Sequence, residues 1–441
     1  MRHTISFLAA VAMVLMSITF VAAQGSEQSP VISNSIKSPD SSSLNLYGRL
    51  QTIGFMQNLK DNFRDNTRLY LFLKQARLGA KATYNDIDFD IQFALGGEDV
   101  VKAPSPGVGL SLLDLSADIP ITKSLRLKAG QFKVPYGREN ITDEGYLQFT
   151  DLSVQFMGSK LGRDVGIALH GNSGTFTSII GVFTGGGRDV PIRYIPMDLG
   201  LPMIVARVGI NDGFDQDLFS VKQNMFDSNI GYAFFINALY TKDSKVGHST
   251  ALNVKLDDKS LLLNSNWNPY IGKQPLDKSQ LFQIGADAAA RICGKEKGLS
   301  GEAEINYGSF KNGYGSLSVV SGRAQGAYFT NPFELAMRYA FLRPDENFGV
   351  KDAAGTIYQI VDSKLIQEIT ASVSYYLQGN RVKLTAELPI FINEPVVTEP
   401  NLGAYPLMQQ PDQTTIIAAP MRAPVQRQTV IEARVQLQVM F

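Results

Sequence analysis

Catalysis needs a constellation of side chains, and the sequence offers only fragments of one. His3 lies in the apolar N-terminal stretch, and His170 and His248 stand far apart with no HExxH or comparable ligand spacing between them. The stretch "GNSG" (171–174) has a serine between glycines but lacks the fifth glycine of GxSxG, and it falls where a tight turn is expected. "TGGGRD" (184–189) has no lysine after its glycines and so does not cradle phosphate. "DNFRDN" (61–66) lacks the glycine and distal glutamate of a calcium loop. Same-parity carboxylates, Asp88 with Asp90 and Glu302 with Glu304, resemble an acid and base pair only if a dry cleft shifts one of them upward; a water-lined wall would not. No catalytic, cofactor or metal residues are therefore assigned, and the chain is read as not an enzyme.

Composition closes other routes. The 441 residues carry 41 basic and 41 acidic side chains, which gives no basic surface for nucleic acid. One cysteine, Cys293, builds neither a disulfide framework nor a cysteine zinc site.

Residues 1–23 join Arg2, a long apolar run and the small residues Ala22 and Ala23, the build of a cleaved signal peptide, with an uncleaved anchor as the alternative. Residues 24–43 are polar and Ser/Pro-rich and read as a disordered leader. Beyond them no run approaches the roughly 18 apolar residues of a spanning helix.

Periodicity is the informative feature of residues 44–441. In the final "IEARVQLQVMF", Ile431, Ala433, Val435, Leu437, Val439 and Phe441 share one parity and Glu432, Arg434, Gln436 and Gln438 the other. "DIDFDIQFAL" sets Ile87, Phe89, Ile91, Phe93 and Leu95 against Asp86, Asp88, Asp90 and Gln92, an acidic face too costly for a dry core and suited to a hydrated bore. In "RLYLFLKQARLGAKATY" the outward parity is read from Tyr70 and Phe72 to Tyr84, with Lys74 as an unexplained exception. A second slip falls at Gly130, where Phe132 is expected to face in and Lys133 out.

Such segments number about sixteen, the even count of a transmembrane antiparallel β-barrel. Joins after even-numbered strands are mostly one to five residues long, as at 85, 121, 173, 330 and 379, and joins after odd-numbered strands mostly ten to forty. That asymmetry is the one between short periplasmic turns and long extracellular loops. Two joins break it: 213–228 is long where a turn belongs, and 310–313 short where a loop belongs, which predicts a misplaced strand boundary there. In a closed barrel the last strand pairs with the first, so the C-terminal residues need not fray.

"GQFKVPYGRE" (130–139), followed after a long connector by "RDVG" (163–166), resembles the phosphate-selective porin O and P family, with further echoes in "FELAMRYA" and "SVSYYL". The resemblance implies a homotrimer of sixteen-stranded, water-filled barrels in the bacterial outer membrane, each narrowed by a loop folded inward after the fifth strand, here 135–162. Its solutes would be small hydrophilic molecules or inorganic anions. Basic residues at lumen parity or in that loop are the pore-lining and constriction candidates: Arg77, Lys81, Arg126, Lys128, Arg138, Lys160, Arg163, Arg338, Arg381, Lys383 and Arg434. Residues 135–164 nevertheless carry about two more acidic than basic side chains, which speaks against strong phosphate preference, because charge rings set what enters a narrow pore. An outer-membrane barrel enzyme of lipase or protease type, and a surface-binding or soluble secreted β-protein, stand as the alternatives.

Overall fold

The computed structural model describes residues 35–37, 42–60, 65–97, 99–100, 110–156, 161–184, 200–215, 217–226, 230–243, 280–293, 296–311, 316–344, 349–351, 357–359, 365–396 and 426–441. Sixteen antiparallel strands form a closed barrel: β1 (Ser43–Lys60), β2 (Asp65–Tyr84), β3 (Ile87–Gly97), β4 (Ser111–Pro120), β5 (Leu125–Lys133), β6 (Arg163–Ser173), β7 (Phe176–Phe183), β8 (Gly200–Asn211), β9 (Gly231–Asp243), β10 (Gln280–Cys293), β11 (Lys297–Lys311), β12 (Ser316–Thr330), β13 (Phe333–Pro344), β14 (Ile366–Tyr376), β15 (Val382–Val396) and β16 (Gln426–Met440). Each pairs with its sequence neighbours, and β16 closes on β1 from Ile431↔Asn58 to Met440↔Arg49. Phe441 exchanges both backbone hydrogen bonds with Gly48, at 3.1 and 3.2 Å, so the last residue is tied into the wall.

The alternation read from the sequence is the alternation of the wall. Ile431, Leu437, Val439 and Phe441 are exposed on the outside, while Glu432, Arg434, Gln436 and Gln438 are buried inside. Outward aromatics gather near the turn rim, with Tyr84, Phe176, Tyr232, Tyr328, Phe333 and Phe441, and Phe282 and Tyr307 sit toward the other end. This is the placing of the two interfacial girdles of a membrane barrel. Among the described residues no helix is long and apolar enough to cross a membrane; here strands do the crossing.

Both register slips have local causes. In the β1–β2 ladder Gln51 faces Gln75 while Thr52 faces Leu73, so Lys74 is an extra, bulged residue and turns inward. Before the bulge the outward parity is therefore Leu69, Leu71 and Leu73, not Tyr70 and Phe72 as read from the sequence; both of those rings pack inward against Phe55, Tyr70 stacked at 4.5 Å. At the end of β5, Phe132 faces in as expected, but Lys133 is not outside: its Nζ donates to Thr142 O in the bore, because the chain leaves the wall there.

Three further expectations change. The 213–228 join is not a boundary error: β8 and β9 end where the alternation ends, and the residues between form an insertion at the turn rim. The 310–313 join is short because β11 and β12 run to Lys311 and from Ser316. Ser35–Lys37, inside the leader read as disordered, pairs antiparallel with Ser43–Asn45. Residues 1–34, including the expected signal peptide, lie outside the described residues, as do His248, Lys160, and nearly all of 391–426 beyond the end of β15.

Candidate functional site: a bore narrowed from both rims

The interior is built by two segments that enter from opposite ends. After β5 the chain turns inward through "GQFKVPYGRE", and the physical role of that motif is now visible. Gly130 (φ 127°) lies so close to β4 that an added Cβ would stand 2.2 Å from Leu115 O, and Gly137 (φ 66°) makes a turn that favours glycine. Gln131 donates to Leu112 O and Leu113 O at 2.9 Å, and Tyr136 donates to Asn306 Oδ1 at 3.1 Å. "RDVG" receives the chain back: Asp164 accepts from Val165 N and from Thr184 Oγ1, and Val134 N donates to Gly162 O at 3.0 Å.

Between these ends the inward loop is pinned to the far wall by buried ion pairs and charge-assisted hydrogen bonds. Arg138, in the short helix Arg138–Ile141, is fully buried, forked onto Asp215 at 2.7 and 3.0 Å and donating to Glu302 at 3.0 Å. Glu139 accepts from Ser153 N and Oγ, and its own N–H donates to Glu304 at 2.8 Å. Glu387 accepts from Thr150 N at 2.7 Å, Glu368 from Val154 N at 2.7 Å, and Lys383 donates to Leu147 O at 2.7 Å. Arg338 pairs with Glu368 and lies over Phe149, 4.2 Å from the ring centroid. Arg434 pairs with Glu387 and Glu432, and Lys74 donates to Thr150 O.

The second segment, 212–226, of which 212–215 and 217–226 are described, enters from the turn rim and meets the first. Asp143 N donates to Val221 O at 2.9 Å, Val221 N to Ile141 O at 3.1 Å, and Gln223 N and Asn224 N both donate to Tyr146 O. Phe219 packs edge-on against Phe132 and His170, and Lys222 lies over the Tyr146 ring at 4.5 Å.

Among the described residues, open space runs along β1–β6 and reaches Arg291 on β10, Arg381 before β15 and Met440 on β16. Two cavities of about 570 and 600 Å³ face the turn rim, the first against Arg49, Tyr146, Arg291 and Arg381, the second against Asp88, Lys123, Arg126 and His170. Both share residues with a neck of about 70 Å³ between Tyr47, Arg77, Lys128, Lys133, Asp143 and Arg163. Together the three spaces are lined by eleven basic side chains and seven carboxylates. Arg77 is held by Asp99 and Glu144, Arg163 by Asp114 at 2.9 Å, and Arg49 by Asp143. Burial pushes the Asp143 carboxyl up, but Arg49, Lys133 and the Gly145 N–H more than offset it and hold the group well below the usual carboxylate range.

The sequence candidates thus divide. Arg77, Lys81, Arg126, Lys128, Arg163 and Arg381 line the open spaces. Arg138, Arg338, Lys383 and Arg434 do not: each is at most 3% exposed, the last three because the inward loop covers them and Arg138 because it lies in that loop, turned onto Asp215 and Glu302. Lys160 lies outside the described residues. Arg49, Lys123, Lys133, Lys222 and Arg291 are basic linings that sequence reading missed; Arg49 alternates inward between Gly48 and Leu50 and was legible, whereas Lys222 lies in the insertion, where no parity exists. The carboxylate pair Glu302 and Glu304 is likewise an anchor for the loop and not a hydrated wall.

His170 approaches the oxygens of Asp118 at 3.0 and 3.1 Å, so it has an acid beside it. Among the described residues no serine hydrogen-bonds to it, and its ring faces Phe219.

A closed sixteen-stranded barrel with an apolar exterior, charged bore and inward loop is the architecture of an outer-membrane porin. Residues 44–191 match the model of the family described as phosphate-selective porin O and P, so the stretch holding both motifs carries that family's pattern. No curated protein matches the chain. Among solved structures, the anion-selective porin from Comamonas acidovorans superposes with a TM-score of 0.55 at 13% identity, over 91% of this chain and all of that one. The outer membrane channel DcaP of Acinetobacter baumannii gives 0.51 at 10% identity, over 92% and 99%. Salmonella typhi OmpF, in complex with daunomycin, gives 0.50 at 11% identity, over 92% and 100%. At such identities these neighbours share the fold.

Proposed function

We propose that the chain is an outer-membrane porin that passes small hydrophilic anions by passive diffusion. The observation that carries this reading is the excess of basic over acidic side chains around the open spaces, eleven against seven. The loop's surplus of carboxylates does not count against it: Glu139 faces Ser153 and the Arg323 side of the wall, and Asp151 faces Lys74 and Arg434. A charge turned toward a buried partner contributes little field to the water path; Arg77 and Arg163 are paired in the same way, so the positive field at the neck is carried by Lys128 and Lys133. The neck suits an ion or a compact oxyanion, and phosphate is one such solute. Export through a cleaved signal peptide at 1–23 and assembly as a homotrimer complete the reading.

The test is the reversal potential of the purified protein in a planar bilayer under a KCl gradient, repeated with phosphate as the anion. A potential of the sign set by chloride supports the reading. A cation-selective potential removes the anion preference, and absence of stepwise conductance removes the channel.

A further inference from the structure

The insertion 212–226 crosses the whole turn-side mouth. Leaving β8, its Asp215 grips Arg138, and Asp217 comes within 4.0 Å of Lys81 on β2. Phe219 then docks on Phe132 of β5 and His170 of β6, with Lys128 Nζ 4.6 Å above its ring. The chain returns past the inward loop to the opposite wall: Asn224 donates to Asn380 Oδ1 at 2.6 Å, and Phe226 stacks on Tyr376 with centroids 5.1 Å apart. It rejoins the wall at β9. The two larger cavities lie on either side of Asp217, which lines both.

We propose that 212–226 is a crossbar that divides the turn-side mouth into two openings and, through Asp217, trims its anion preference. Three features support this over a purely propping role. Propping is done by backbone bonds at Val221, Gln223 and Asn224 and by the Phe219 ring, whereas among the described residues the Asp217 carboxylate accepts only from Phe219 N of its own turn and approaches Lys81. Asp217 and Lys81 keep about half of their side-chain surface, 43% and 53%, so they meet whatever passes. Asp217 is also the carboxylate common to all three open spaces, standing among Lys81, Lys128, Arg77 and Arg163 at the neck. Removing its charge raises the positive field where these three spaces meet.

This inference rests on the channel reading, and its test separates the two. Asp217→Asn is compared with wild type in single-channel recordings and under a KCl gradient. The anion-to-cation permeability ratio is expected to rise roughly twofold with the conductance step kept. Asp217→Ala with Phe219→Ala, which clears the tip but leaves Val221 in place, is expected to widen the mouth and roughly double the conductance. Folding is checked by heat-modifiable gel mobility. Should the double variant fail to fold, Asp217→Cys in a Cys293→Ala background is treated with a bulky cationic thiol reagent. A stepwise fall in current supports the crossbar. Unchanged selectivity and conductance in folded variants, or labelling without a current change, overturns it while the wild-type channel stands. No conductance from wild type overturns the channel reading itself.

Discussion

Glu387 on β15 accepts a hydrogen bond from the backbone N–H of Thr150 at 2.7 Å, and the two residues belong to the wall and the inward loop respectively. The same carboxylate takes Arg434 Nη1 at 3.1 Å, so one buried side chain ties the seam strand and the loop together. Glu387→Ala strips both and leaves Arg434 relying on Glu432. Breaking a buried pair of this kind costs about 3–5 kcal/mol. The variant should unfold at lower urea concentration than wild type, and its single-channel current should be noisier as the loop loosens.

Arginines of the loop's two ends should behave differently although sequence reading grouped them. Arg163 lines the neck, so Arg163→Ala should move the reversal potential toward cations with folding intact. Arg138 has no exposed surface and serves Asp215 and Glu302, so Arg138→Ala should lower the unfolding midpoint, by about 3 kcal/mol or more. Gradient recordings and urea titrations on both variants check the division. Equal selectivity shifts would place Arg138 in the water path after all.

The Asp143 anchor has a defined pH dependence. Its carboxyl is held below its unfolded value by Arg49 and Lys133 against the effect of burial. A depressed acid stabilises the fold fully above its unfolded pKa of about 3.9 and loses that contribution as pH falls through the lower folded value. The stability difference between wild type and Asp143→Asn should thus be constant from about pH 8 to 5 and shrink below about pH 4. Urea midpoints across that range measure it; a difference that already collapses at neutral pH would contradict the pairing.

At the barrel seam Phe441 covers Gly48, where an added Cβ would stand 2.3 Å from the ring. Gly48→Val should cost about 1–3 kcal/mol by overpacking. Combining it with Phe441→Ala should cost less than the sum of the single changes, since the second removes what the first collides with. Folded yield and urea midpoints of the three variants test the coupling.

The strands were legible because period-two alternation is local: whether Leu437 faces lipid and Gln438 the bore depends on neighbours in sequence, and parity slips within an apolar run at β2 and at β4, where Leu113 is an extra residue. The β2 exception, the bulge at Lys74, inserts one residue against a partner strand, so it belongs to a pairing and not to a single segment. Connector lengths likewise told the two rims apart, and of the two that broke the pattern the long one, 213–228, marked the insertion at the turn rim.

Site charges were only half legible. Parity says that Arg77, Lys383 and Arg434 all point inward, and it is right. Whether an inward cation meets water depends on what the loop covers, and that is fixed by contacts such as Thr150 with Glu387 and Val221 with Asp143, between residues distant in sequence. For the same reason the loop's summed charge is not the charge of the bore: Glu139 and Asp151 contribute to the count but face buried partners. The sequence determined the cylinder and its two faces, because side-chain direction along a strand is set by backbone geometry alone. Only the tertiary structure decided where the water path runs and which charges line it, because that depends on how two inward segments fill the cylinder together.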